Sequence, residues 1–219
     1  MSKVVTWLLR KHKLNERQLY DSVAERYAAS DGRAAPILKS LVNELVAEKR
    51  PSSVLDLGCG AGRYFPVLKG DLIVGVDLSV GMLKQALRKF KHANLIQGDI
   101  FHLPFKKGIF DVAISMSIMG ELCPFSEALL GEVRRTLSKK SSFAFTVVPL
   151  YHYVAKFPIV VYCALKERRV HSIFCASRHR IKANLKKLGF RTVRIEEVHE
   201  IHANTPHYYV VGTRHGADA

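Results

Sequence analysis

The chain has 219 residues, 48% hydrophobic and 24% charged, the make-up of one globular domain with a real core. Lys and Arg number 34 against 19 acids, a net charge of +15 that suits a polyanion, an anionic membrane surface or an acidic substrate without choosing among them. Four scattered cysteines with no C-x-x-C pair argue against a zinc knuckle or a disulfide framework, so no metal and a reducing cytoplasm are expected.

The apolar residues 4–9 are too few for a secretory core and run into Arg10-Lys11-His12-Lys13. Asn15 followed by Gln18 has the spacing of a capping box, and Leu19, Tyr20, Val23 and Tyr27 then share one helical face. A second helix is predicted over 34–48, with Ile37, Leu38, Leu41, Val42, Leu45 and Val46 at helical spacing and Pro51 beyond its end.

The strand-length apolar run 54–57 leads into Gly58, Gly60 and Gly62, a tight turn with no room for side chains. A helix is predicted from Arg63 to about Lys69, which would set the turn between a strand and a helix amino end, where open α/β sheets bind ligands. Strand 72–76 then runs into Asp77, at the distance where a dinucleotide-binding unit places its ribose-gripping carboxylate. Asp77 could also cap the helix that follows Ser79. A nicotinamide or flavin fingerprint needs G-x-G-x-x-G, but here the third glycine comes one residue early and Arg63 stands in its place.

The next elements are a helix over 79–90, strands at 94–98 and 109–115, a helix over 124–137 and a strand at 142–148. Strands alternating with helices imply a parallel, doubly wound sheet with right-handed crossovers. Asp56, Gly58, Gly60 and Gly62 in the form D-x-G-x-G-x-G, then Asp77, then Asn94 to Ile100 ending in Asp99, then Leu103-Pro104-Phe105 and the strand Phe110 to Ser115, resemble the class I, Rossmann-like S-adenosylmethionine-dependent methyltransferases, broad small-molecule branch. The resemblance covers about residues 20 to 148 and, more loosely, the chain's end. It implies an α/β, single-domain Rossmann-like sandwich with a mostly parallel seven-stranded sheet, an antiparallel last strand and helices on both faces.

It also implies S-adenosyl-L-methionine as cofactor and S-adenosyl-L-homocysteine as product. The cofactor-binding residues it implies are Tyr20 and Tyr27 on the leading helix, Asp56, Gly58, Cys59, Gly60 and Gly62 at the loop, and Asp77 and Leu78 at the ribose. Met82 and Ile100 are expected on the faces of the adenine ring, Asp99 at its amino group, and Ser115 and Met116 beside the donor methionine. Asp99 could instead be a turn residue after Gly98. Asp111, at the start of its strand, is read as structural, and Cys123 as a small buried residue.

Segment 149–176, rich in Tyr and His with Pro149 and Pro158, is read as an acceptor lid whose His152 and His171 could act as acid or base, or else as an ordinary core helix. Pro149, His152, Lys156 and Pro158 also interrupt the apolar stretch 143–165, so no membrane span is expected. Ser177 caps a helix with Ile181, Leu185 and Leu188 on its stripe and Gly189 at its end, before strands 191–198 and 207–212. The divisions are 1–50 for the leading helices, 51–148 for the donor-binding core, 149–176 for the lid and 177–219 for the last helix and strand pair.

The acceptor is narrowed by what the chain lacks. Residues 115–121 read Ser-Met-Ser-Ile-Met-Gly-Glu, so the Asn/Asp-Pro-Pro-Tyr/Phe string of exocyclic-amino methylation is absent. The His-His pair of transfer-RNA wobble-uridine carboxymethyl methyltransferases is absent too. A small-molecule or lipid-like acceptor is therefore expected. The alternatives are RNA bound through the segment from Lys166 to Lys187, which carries eight basic residues and one acid, or a noncatalytic donor-binding partner subunit.

Overall fold

The computed structural model describes residues 3–30, 35–118, 127–149, 177–199 and 206–214. Among these, seven strands form one sheet in the order β3-β2-β1-β4-β5-β7-β6. The strands are β1 (Ser53–Leu57), β2 (Leu72–Asp77), β3 (Asn94–Gln97), β4 (Phe110–Ser115), β5 (Leu137–Val147), β6 (Arg191–Val198) and β7 (His207–Arg214). The strands from β3 to β5 pair in parallel, while β7 runs antiparallel to both β5 and β6. The expected Rossmann-like, mostly parallel seven-stranded sheet is the one observed.

The helices are α1 (Lys3–Ser30), α2 (Pro36–Lys49), α3 (Val80–Lys89), α4 (Glu127–Thr136) and α5 (Arg178–Lys187). Alternation along the strands splits the core in two. Leu55, Leu57, Ala113, Phe143 and Phe145 face Leu129 and Val133 of α4 and Ile181 and Leu185 of α5. Val54, Val112, Ile114 and Ala144 face Leu38, Leu41, Leu45 and Val46 of α2. Every residue of β1 is buried, as a central parallel strand covered on both faces requires.

Three local expectations are corrected. The capping-box pair lies inside α1, which runs without a break from Lys3 to Ser30, so Asn15 starts no helix. No α-helix follows the glycine turn: turns lead into a single 3-10 turn at Phe65–Val67. Pro66 has no N–H to extend an α-helical ladder there, and Phe65 N–H bonds back three residues to Gly62 O at 3.2 Å. Ile37 is 41% exposed and not on the buried stripe of α2, which rests on Leu38, Leu41, Val42, Leu45 and Val46. The last helix is as expected, with Ser177 Oγ accepting from Arg180 N–H and Gly189 at φ +75° beyond its end. The lid segment from residue 150, with His152 and His171, and Cys123 lie outside the described residues.

Among the described residues no helix is long and apolar enough to cross a membrane, and no group of His, Cys, Asp and Glu is arranged to hold a metal.

Candidate donor site

The order of the strands reverses at β1, whose neighbours are β2 and β4, and the glycine loop leaves the carboxyl end of β1 at this point. Val76 O accepts from both Gly58 N–H at 2.7 Å and Cys59 N–H at 3.1 Å, folding the loop back over the end of β2. Gly58, Gly60 and Gly62 have φ of +70°, +53° and +80°, a region costly to any residue with a Cβ. Their surroundings differ. A Cβ on Gly58 would lie 2.5 Å from Ile118 and one on Gly62 2.9 Å from the Phe90 ring, whereas one on Gly60 would meet nothing within 4 Å. Gly58 and Gly62 admit protein side chains; Gly60 faces open space.

Two carboxylates lie close to the loop, Asp77 bonded to Gly60 and Asp56 two residues before Gly58. Asp77 Oδ2 accepts from Gly60 N–H and Oδ1 from Ser79 N–H, both at 2.8 Å. Burial pushes its pKa up, against the pull of those backbone donors. Asp56 is 1% exposed, and its Oδ2 has no hydrogen-bond partner. Burial, reinforced by the charge of Asp77 and opposed by Arg63, pushes its pKa up to about 8. A buried acid left short of a partner favours a cation nearby. The Cys59 thiol is buried, and its sulfur would lie 2.7 Å from a Cβ on Gly75. Burial, then the charges of Asp56 and Asp77, raises its pKa, so Cys59 offers this site its backbone and no thiolate.

α1 and α3 form one wall. Asp21 of α1 accepts from Ser79 Oγ at 2.6 Å and Gly81 N–H at 2.7 Å, while Ser79 Oγ accepts from Met82 N–H at 3.0 Å as the cap of α3. The helix cap is thus Ser79, with Asp77 one hydrogen bond behind it. Tyr20 and Tyr27 meet edge to face at 6.2 Å and pack with Ala24, Ala28, Ala61 and Met82. Arg63 Nη2 donates to Tyr27 Oη at 2.7 Å, and the guanidinium lies 5.2 Å from the Tyr27 ring centre. Leu78 lies beside Asp77, and its carbonyl accepts from Gln97 at 3.3 Å.

Sequence reasoning put Met82 and Ile100 on the two faces of one ring. The structure sends them to different clusters: Met82, 2% exposed, packs under α1, whereas Ile100 packs on the α4 side of the sheet. Asp99 Oδ1 accepts from Phe101 N–H at 3.0 Å, and its Oδ2 lies 3.4 Å from His102. At the end of β4, Ser115 is fully buried with an unpartnered Oγ, and Met116 is buried on the α2 side. Ser117 takes φ +60°, with its N–H donating to Thr146 Oγ1 at 2.7 Å, and carries the chain toward Ile118 against Gly58. Asp111 is structural, as expected: Oδ2 accepts from the Ser52 and Ser53 backbone at the foot of β1.

Three contributors were not singled out from sequence. Asp21 sits 58 residues from Ser79 and carries no motif, while the sequence marks Arg63 as a helix start and a departure from the dinucleotide pattern and points to no partner for it. The third is a clasp on the loop after β3. Glu132 accepts from Leu103 N–H at 2.8 Å, and Arg135 donates to Phe105 O at 2.6 Å, to Leu103 O at 2.9 Å and to Glu132. Its visible trace is an acid and a base three residues apart on one helix.

Residues 55–145 match the family model described as a methyltransferase domain. The chain is 40% identical over 95 residues to an 18S rRNA (guanine-N(7))-methyltransferase of Bos taurus, covering 42% of this chain and 32% of that protein. It is 28% identical over 208 residues to a malonyl-[acyl-carrier protein] O-methyltransferase of Geobacter sulfurreducens, covering 88% and 76%. The chain therefore spans about a third of the length of the bovine relative and three quarters of the bacterial one. Magnesium protoporphyrin IX methyltransferase from Synechocystis, with S-adenosylhomocysteine bound, superimposes with a TM-score of 0.68 at 17% identity, over 93% of this chain and 99% of that one, a likeness of fold.

Proposed function

We propose that this chain, which belongs to the class I, Rossmann-like S-adenosylmethionine-dependent methyltransferases, moves a methyl group by in-line displacement to an O, N or S atom of a small-molecule or lipid-like acceptor. The cofactor of that family, S-adenosylmethionine, supplies a methyl group already activated on a sulfonium and leaves as S-adenosylhomocysteine. One observation carries the reading: Asp56, buried with an unpartnered oxygen, stands with Asp77 around a loop whose central glycine faces open space. A cationic ligand with ribose hydroxyls fits that donor and acceptor set, because it neutralises the acids and Asp77 keeps lone pairs to accept with.

The residues divide the work. Asp77 and the backbone of Gly58, Cys59, Gly60 and Gly62 bind and orient. Asp56 supplies negative charge as it ionises, which Arg63, held by Tyr27, favours. Tyr20 and Tyr27 shield the loop from water along α1. Asp99 and Ile100, on a loop held by Glu132 and Arg135, serve the adenine end; Ser115 and Met116 close the side next to β4. Since the leaving group is already activated, holding nucleophile and methyl in line is the main task, and no general base is assigned.

The small-acceptor reading is supported by the Geobacter relative, whose match extends along most of this chain. RNA is the second reading, favoured by α5, where Arg178, Arg180, Lys182, Lys186 and Lys187 stand with no acid on the same helix. Purified protein incubated with methyl-labelled donor and separate pools of metabolites, lipids and transfer RNA tests both. Label in the metabolite or lipid pool supports the first reading, label in RNA the second, and label in none, with donor bound, supports a noncatalytic subunit. The free, buried thiol of Cys59 accords with a cytoplasmic setting.

A further inference from the structure

A cavity of about 260 Å³ opens on the opposite rim of the sheet from the glycine loop. Asp111 near the start of β4 lines it, as do Ser141 and Ser142 of β5, which pair with Arg214 and Thr213 at the far end of β7. Lys49, Lys140 and Arg214 bring three positive charges to this space, and Asp111 is the one acid among the lining residues.

That acid is already engaged. Asp111 Oδ2 accepts from Ser52 N–H at 3.1 Å, Ser53 N–H at 3.2 Å and Ser53 Oγ at 3.1 Å, and Oδ1 from Ser138 Oγ at 3.2 Å. The cations are held more weakly. Among the described residues Lys49 pairs with the neighbouring Glu48, which is 68% exposed, in a surface pair that solvent weakens. Lys140 is exposed and pairs with no acid among the described residues. Arg214 donates to Leu137 O at 3.5 Å and Ser138 O at 3.4 Å, the outer limit of a hydrogen bond, and its half-buried guanidinium lies 5.9 Å from the Phe190 ring centre. Burial, then the charge of Arg134, lowers the Arg214 pKa, and an anion in the cavity would offset both. Ser142 Oγ and Thr213 Oγ1 lie 3.1 Å apart, and the Oγ of Ser141, which is 3% exposed, has no hydrogen-bond partner.

We propose that this cavity is a binding site for a phosphate group, carried either by a small phosphomonoester or by a nucleic-acid backbone. Phosphate is compact, carries up to two charges and only accepts hydrogen bonds, while the lining offers ammonium, guanidinium and hydroxyl donors. The volume falls just below the range of drug-sized ligand sites, which suits an ion as small as phosphate. The site is independent of the donor reading, because the full depth of the sheet separates the two rims.

The test titrates the full chain with inorganic phosphate, ribose 5-phosphate and a short single-stranded RNA, at ionic strength held constant with chloride. Wild-type protein should bind phosphate saturably, with the amide signals of Ser141 and Thr213 shifting in nuclear magnetic resonance spectra. Lys140→Glu, on an exposed side chain, should weaken that binding about tenfold, the loss of one charge-assisted contact, with S-adenosylmethionine affinity unchanged. Ribose 5-phosphate binding more tightly than RNA assigns a small ligand; RNA binding more tightly, displaced by phosphate and weakened by Lys140→Glu, assigns a backbone phosphate. A phosphate response no larger than that of chloride, or one insensitive to Lys140→Glu, overturns the proposal, as does RNA binding that ignores both phosphate and the variant. Loss of S-adenosylmethionine binding alone would count against the methyltransferase reading and leave this one standing.

Discussion

Asp77 Oδ2 accepts a hydrogen bond from the backbone N–H of Gly60 at 2.8 Å, so the carboxylate that ends β2 also fixes the loop that follows β1. One residue thereby has two tasks, shaping the loop and presenting lone pairs to a ligand. Asp77→Ala removes both. Each charge-assisted hydrogen bond is worth about 1.5–3 kcal/mol, so S-adenosylmethionine affinity should fall at least tenfold, with the far-ultraviolet circular dichroism unchanged. Calorimetry on wild type and variant gives the comparison, and unchanged affinity would remove Asp77 from the site.

The pH dependence follows from Asp56. Its folded-state pKa is raised to about 8, so between the ordinary carboxylate range and that value the unfolded chain is ionised where the folded one holds a proton. Stability from this group therefore falls as pH rises through that window and levels off above it. Asp56→Asn should flatten the slope and raise the melting midpoint at neutral pH. Affinity for the cationic donor should move the other way, rising toward about pH 8 as Asp56 ionises. S-adenosylhomocysteine, with one positive charge fewer, should show a shallower rise, and equal slopes for the two ligands would count against a charge role for Asp56.

The loop glycines separate binding from folding. Gly62→Ala drives a methyl group into the Phe90 ring and should lower the melting midpoint clearly. Gly60→Ala meets no protein atom within 4 Å and should cost only the strain of a left-handed alanine, about 1 kcal/mol, while weakening the donor more than Gly62→Ala does per unit of stability lost. Thermal melts beside calorimetry decide it; an equal loss of binding and stability in both variants would make Gly60 a folding residue.

Asp21 pins α1 to the start of α3 through Ser79 Oγ and Gly81 N–H. Burial pushes its pKa up, but those two donors and the nearby Arg17 and Lys84 outweigh it and hold the carboxyl below its usual range. Asp21→Ala should cost about 0.5–2 kcal/mol, the range of a lost helix cap, and free the α1 amides around Tyr20 and Tyr27 to exchange faster. Unaltered exchange there would mean that the apolar packing of Ala24, Ala28 and Met82 holds the helix by itself.

The contrast between Asp77 and Asp21 explains what could be read from the chain. Strand, glycine turn and acid repeat at short spacing, so Asp56, Gly58, Gly60, Gly62 and Asp77 were legible together with the sheet they imply. Short-range cues failed where a neighbour overrode them: Asn15 and Gln18 have the cap spacing but lie within a longer helix, and Pro66 ends the helical run from Arg63. Asp99 shows a short-range cue that holds, one oxygen accepting from the N–H two residues on as its residue type favours. Asp21 on Ser79 and Glu132 on Leu103 join residues 58 and 29 positions apart, and only the folded chain brings them together. The separation of Met82 from Ile100 likewise depends on where α1 packs, which no local pattern encodes.

The central claim is that the glycine loop and its two acids hold S-adenosylmethionine. Calorimetric titration of the purified chain with S-adenosylmethionine, S-adenosylhomocysteine and NAD in parallel tests it most directly. The account predicts one saturable site for the first two, abolished or strongly weakened in Asp77→Ala, and no comparable binding of NAD. Preferred binding of NAD, or no binding of either sulfur compound by folded protein, would contradict it.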